Sequence, residues 1–130
     1  MKKILFLLFL PLAFNTFADS YSREFTQCTE RSGVVTSTML NCISAEYKKQ
    51  DNRLNRNYKK LMGQLNPQTK QKTQHAQRIW LEHQEASCTL YEQLSDGGTA
   101  FTIMTQDCYL TEITKRADFL QHLIDIEALK

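Results

Sequence analysis

Residues 51–67, DNRLNRNYKKLMGQLNP, hold a helical face and the break that ends it. Leu54, Tyr58, Leu61 and Leu65 step by four, three and four residues, the spacing of one side of an α-helix. Asn66-Pro67 stops the run, because a residue before proline is disfavoured in the helical region. Asn66 then suits the N-cap of a following helix, with Pro67 at its first position. A two-residue break between two long periodic segments predicts an antiparallel helical hairpin. Extended backwards, the same face meets Asp51 and Tyr47, with Asn55 beside Leu54, so polar groups fall where packing needs apolar ones.

Outward from this break, the first helix begins at Thr36 or Ser37, either of which suits an N-cap. The second runs from Pro67 to about Leu94 and stops at Gly97-Gly98. The third runs from about Thr105 to Leu129, ending in the amphipathic DFLQHLIDI. Residues 19–35 read as a loose arm tied down at Cys28, and the β-branched run Val34-Val35 is too short for a strand. The expected fold class is all-α: an antiparallel helical hairpin plus a third helix, stapled by two disulfides.

Residues 1–18 read as a signal peptide. Lys2 and Lys3 precede the apolar ILFLLFLPLAF, which is too short to span a bilayer, and Ala18 offers a small residue before cleavage at Asp19. Residues 19–130 form one domain of 112 residues (130 less the leader's 18). Loss of Lys2 and Lys3 takes the 16 basic residues to 14, equal to the 14 acidic ones. A neutral domain gives no reason to expect nucleic acid. With no later apolar run, a periplasmic or secreted product without membrane insertion is expected.

Four cysteines remain, Cys28, Cys42, Cys88 and Cys108. An even count in an exported chain, without close ligand pairs, points to two disulfides and not to a metal. Three pairings are open. Cys42 lies 24 residues before Asn66 and Cys88 lies 22 after it, so in a hairpin they are nearly level. That favours Cys42–Cys88 with Cys28–Cys108, by a small margin over Cys28–Cys42 with Cys88–Cys108.

Charge is segregated along the chain. Between Lys48 and Arg78 there are nine basic residues and one acid; between Glu82 and Glu127 there are nine acids and two bases. Lys49, Arg53, Arg56 and Lys60 share a stripe that reads as a solvated face, with contact to an anionic envelope surface as the sharper alternative. The three histidines form no metal-binding spacing, and no nucleophile–base set or phosphate loop occurs. No cofactor is expected. Trp80, the sole tryptophan, reads as a core anchor, with a ligand platform as the alternative.

The two cysteines 28 and 42 with thirteen residues between them, AEYKKQDNRLNRNYKKLMGQLNP, QRIWLEHQEASC, DGGT and Cys108-x5-Thr114-x-Arg116 together resemble the LprI-type lysozyme inhibitor family. The likeness runs from Cys28 to about Leu123 and takes in Asp51, Leu54, Asn55, Tyr58, Leu61, Leu65, Gln77, Trp80, Gly97, Gly98 and the cysteines. Two departures are visible. Thr114 and Arg116 stand one residue closer than the family's Thr-x-x-Arg, and His83 and Gln84 take the places of an aromatic residue and an arginine after Trp80. The resemblance implies a secreted, disulfide-stapled helical domain that inhibits lysozyme. It also implies that Asp51 and Asn55 pair with Gln77 and Trp80 on the facing helix. Asn55 and Gln77 are each eleven residues from Asn66, and Asp51 and Trp80 are fifteen and fourteen from it. The expectation is a buried polar layer that fixes helix register, with the Trp80 indole donating to Asp51.

Lysozyme is thus the candidate partner, and the candidate action is binding, not catalysis. The alternative is an envelope stress or interaction module without an enzyme target. Animal lysozymes are basic, so an inhibitor should present acids. The acidic second half and the loop Asp96, Gly97, Gly98 and Thr99 are the candidate contact surface, although the two glycines also serve simply as a helix stop.

Overall fold

The computed structural model describes residues 20–94 and 96–130; the expected signal peptide lies outside them. The described residues form five helices and no strand: α1 (Arg23–Ser32), α2 (Thr36–Gln64), α3 (Pro67–Cys88), α4 (Leu90–Gln93) and α5 (Thr99–Glu127). The all-α class holds.

The break at Asn66-Pro67 is built as its residues dictate. The Asn66 side chain accepts from the Thr69 backbone N–H at 2.9 Å, and Pro67 opens α3. The core, however, is not made by the two helices flanking this turn. On α5, Leu110, Ile113, Ala117, Leu120 and Ile124 are buried at steps of three and four. They pack against Ile43, Leu54 and Leu61 of α2. Contacts rise together along both helices, Arg53 to the Thr114 carbonyl and Asn57 to the Ala117 carbonyl, so α2 and α5 run parallel. The buried methyl of Ala117 leaves room for that approach. Helix α3 is the return path between them. It lies antiparallel on α5, with Gln77 meeting Arg116 and Gln84 meeting Tyr109, and leans away from α2.

This splay corrects the expected disulfides. The bonds are Cys28–Cys42 and Cys88–Cys108, with Cα atoms 5.7 and 5.5 Å apart. Equal height above the turn does not bring Cys42 to Cys88, because the two helices diverge from that turn and each packs elsewhere. Cys28–Cys42 fastens α1 to α2, and Cys88–Cys108 fastens the end of α3 to α5.

The expected loose arm is also corrected. Within it, residues 23–32 are α1, capped by Ser22, whose hydroxyl accepts from the Phe25 N–H at 3.2 Å. The second and third helices differ from expectation too. Helix α3 stops at Cys88, a separate turn forms α4, and α5 starts at Thr99, with Gly98 as its N-cap.

A polar ladder joins three helices. Glu46, on α2 and 1% exposed, accepts from the Ser22 N–H at 2.8 Å, from the Ser22 hydroxyl and from the Gln50 amide at 2.7 Å. Gln50 accepts from Arg53 Nε at 2.8 Å, and Arg53 Nη1 lies 2.6 Å from Asp118 on α5. Arg53 therefore leaves the solvated stripe in which its spacing placed it and ties α2 to α5.

Candidate functional site

Because α3 leans from α2, a groove of about 460 Å³ opens between them. Tyr47, Asp51, Asn55 and Tyr58 line it from α2, Gln74, Gln77, Arg78, Trp80 and Gln84 from α3, and Leu54 and Ile113 supply apolar surface from the core. All four residues expected in a buried polar layer meet here, but the layer is an open groove. Asp51, Gln77 and Trp80 are half-buried and Asn55 is exposed. Asp51 receives no hydrogen bond from Trp80; among the described residues its side chain has no hydrogen-bond or ion-pair partner. The face that packs on α5 is centred on Ile43, Gln50, Leu54 and Leu61, and Asp51 sits to one side of it.

Trp80 has a different partner, one that sequence reasoning missed. The Arg116 guanidinium of α5 lies 5.6 Å from the centroid of the Trp80 ring and 5.2 Å from that of Phe119, and its Nε donates to Gln77 Oε1 at 3.0 Å. The signal was the Thr114-x-Arg116 motif: Thr114 is buried and Arg116, two residues on, reaches the α3 side. Burial holds Arg116 below the usual guanidinium range. In the groove, burial first, and then the Asp51 and Tyr109 charges, push the Tyr47 phenol above its ordinary value.

Since Asp51 is half-buried and unpaired, Asp51→Ala is expected to change stability by no more than about 0.5 kcal/mol in urea melts. A loss of several times that amount would mean that Asp51 is sealed against a donor.

The candidate contact loop lies at the other end of α3. Asp96, Gly97, Gly98 and Thr99 are all exposed. Gly97 has φ 86°, which a side chain would strain, and Gly98 starts α5 by accepting from the Phe101 N–H at 3.1 Å. Just before the loop, α4 and its cap expose Leu90, Tyr91 and Leu94, the last at 79%. Three large apolar side chains within five residues thus stand beside an acid at the Cys88–Cys108 end. These were not legible as a patch, because the sequence placed them on a continuing helix.

The family model described as lysozyme inhibitor LprI matches residues 28–120. The chain belongs to the LprI family. The match spans both disulfides, the groove and the apolar loop. No curated protein and no solved structure matches the chain. Among the described residues of this LprI domain, no cluster of His, Cys, Asp or Glu is placed to hold a metal, and no helix is long and apolar enough to cross a membrane.

Proposed function

We propose that this LprI domain is an exported, periplasmic or secreted protein that inhibits a lysozyme by binding it, through the segment formed by α4 and the following loop. The family supplies the expectation of lysozyme inhibition. The observation that carries the site is the exposed trio Leu90, Tyr91 and Leu94 next to Asp96. Solvated apolar and aromatic anchors beside charged groups are the make-up of a protein contact, with anchors giving affinity and charges giving orientation and encounter rate. Glu82 and Glu85 add exposed acids on the last turns of α3, suited to a basic enzyme. Two disulfides suit an oxidising compartment.

Lysis of bacterial cell walls, with and without the purified protein, tests this directly. Inhibition is expected and should weaken as salt rises. Asp96→Lys and Tyr91→Ala should each weaken it by about tenfold, with the circular dichroism spectrum unchanged. Failure of the parent protein against animal and bacterial lysozymes alike would reject the function. Unaltered inhibition by both variants would reject the site alone.

A further inference from the structure

We infer that the groove between α2 and α3 binds a short neutral glycan, holding sugar rings against Tyr47, Tyr58 and Trp80. This goes beyond lysozyme inhibition and does not rest on it, since the groove and the α4 loop are separate surfaces.

The groove's size falls in the range of small-ligand sites, roughly 300–1,000 Å³, at about 460 Å³. Its lining is unusual for a gap left by imperfect packing. An empty packing gap is lined by apolar side chains, and the polar groups buried around it are hydrogen-bonded. Here Asp51, Asn55 and Gln74 have no hydrogen-bond partner in the chain among the described residues. Gln77 accepts from Arg116 and so keeps its amide N–H groups for another acceptor. Gln84 donates to the Tyr109 carbonyl at 3.4 Å and keeps its oxygen. One carboxylate and four amides therefore stand ready around a space walled by three aromatic rings.

That inventory selects a chemical class. A sugar hydroxyl both donates and accepts, and the planar side chains of Asp, Asn and Gln can engage neighbouring hydroxyls in pairs. The C–H faces of a pyranose ring are apolar and lie well against aromatic rings. The charged groups lining the groove are one acid, Asp51, and one base, Arg78, so neither a strongly anionic nor a strongly cationic ligand is matched. Another cleft, lined by Phe25, Val34, Val35, Met39, Ile43 and Ile103 together with Thr29, Thr36 and Asp107, shows the contrast: it is mostly apolar and has no side-chain amide and no second aromatic ring.

Trp80 makes the inference easy to test, because the only tryptophan of the chain lines the groove. The purified protein is titrated with triacetylchitotriose, cellotriose and maltotriose, following tryptophan emission and, in parallel, heat of binding. A saturable change with at least one trisaccharide is expected. Asp51→Ala should raise its dissociation constant by about tenfold and Asn55→Ala by about fivefold. Both side chains are solvent-accessible and unpaired, so neither variant should disturb the fold. Leu94→Ala, on the separate loop, should bind as the parent does. Absence of saturation with all three sugars in both measurements would overturn the inference, including the case in which the groove instead receives a peptide segment. Binding that Asp51→Ala and Asn55→Ala both leave unchanged would overturn it too.

Discussion

Glu46→Ala should destabilise the domain by about 2–4 kcal/mol, among the largest effects of any single substitution outside the apolar core. Glu46 is 1% exposed and its carboxylate collects the Ser22 N–H, the Ser22 hydroxyl and the Gln50 amide. Truncation leaves those donors without an acceptor and opens a gap beneath α1. The Ser22 N–H stands at the start of α1, where negative charge is favoured by the helix dipole, so the loss is electrostatic as well as local. Glu46→Gln keeps one acceptor oxygen and should recover part of the loss. Urea melts followed by circular dichroism measure all three proteins. A midpoint for Glu46→Ala equal to the parent's would show that the Glu46 bonds do not hold α1, leaving that role to Cys28–Cys42, the packing of Phe25 and the Lys49–Glu24 pair.

The second large effect is removal of Cys88–Cys108. With 20 residues of sequence separation, loss of the bond should cost about 3 kcal/mol through the freedom regained by the unfolded chain. The native state should suffer as well. Helix α3 buries only Gln84 and Cys88, and its remaining holds on α5 are the Gln84 bond to the Tyr109 carbonyl and the Gln77–Arg116–Trp80 contact. In the double variant Cys88→Ser, Cys108→Ser, Trp80 emission should move to longer wavelength at temperatures where α2 and α5 remain paired. Removal of Cys28–Cys42 should leave Trp80 emission in place, since α1 lies against α2 and keeps the Glu46 bonds. An identical Trp80 response in both disulfide variants would contradict the separate roles of the two bonds.

The contrast between Asp51 and Glu46 shows what periodicity alone conveys. The spacing of Leu54, Tyr58, Leu61 and Leu65 gave a helix and, with Asn66-Pro67, the turn after it. It did not give the direction of greatest burial. The face of α2 toward α5 is rotated from that stripe by part of a turn, so Glu46, Gln50 and Arg53 became the internal polar groups and Asp51 faced the groove. Which helix a stripe packs against is a tertiary fact. The α5 stripe of Leu110, Ile113, Ala117, Leu120 and Ile124 was visible as an amphipathic pattern only toward its end, and nothing in it names α2 as partner. Helix α1 went unread because its sequence, REFTQCTERS, is mostly polar and is held by a cap, a disulfide and a carboxylate on another helix. The groove was partly legible, since Asp51, Asn55, Gln77 and Trp80 were expected to meet. Their solvent access followed from the splay of α3, which no local pattern carries.

The order of the cysteines along the chain has a consequence for biogenesis. Each disulfide joins a cysteine to the next one in sequence, Cys28 to Cys42 and Cys88 to Cys108. If the chain crosses a membrane N-terminus first, as the proposed export implies, Cys42 meets only Cys28 before the later pair emerges. An oxidase that joins thiols as they arrive then produces the native bonds directly, with no mispaired intermediate for an isomerase to correct. The nested pattern, Cys42 with Cys88 inside Cys28 with Cys108, would have required both early thiols to wait through most of the translocation. The connectivity therefore suits the domain to rapid maturation in an oxidase-rich, isomerase-poor compartment.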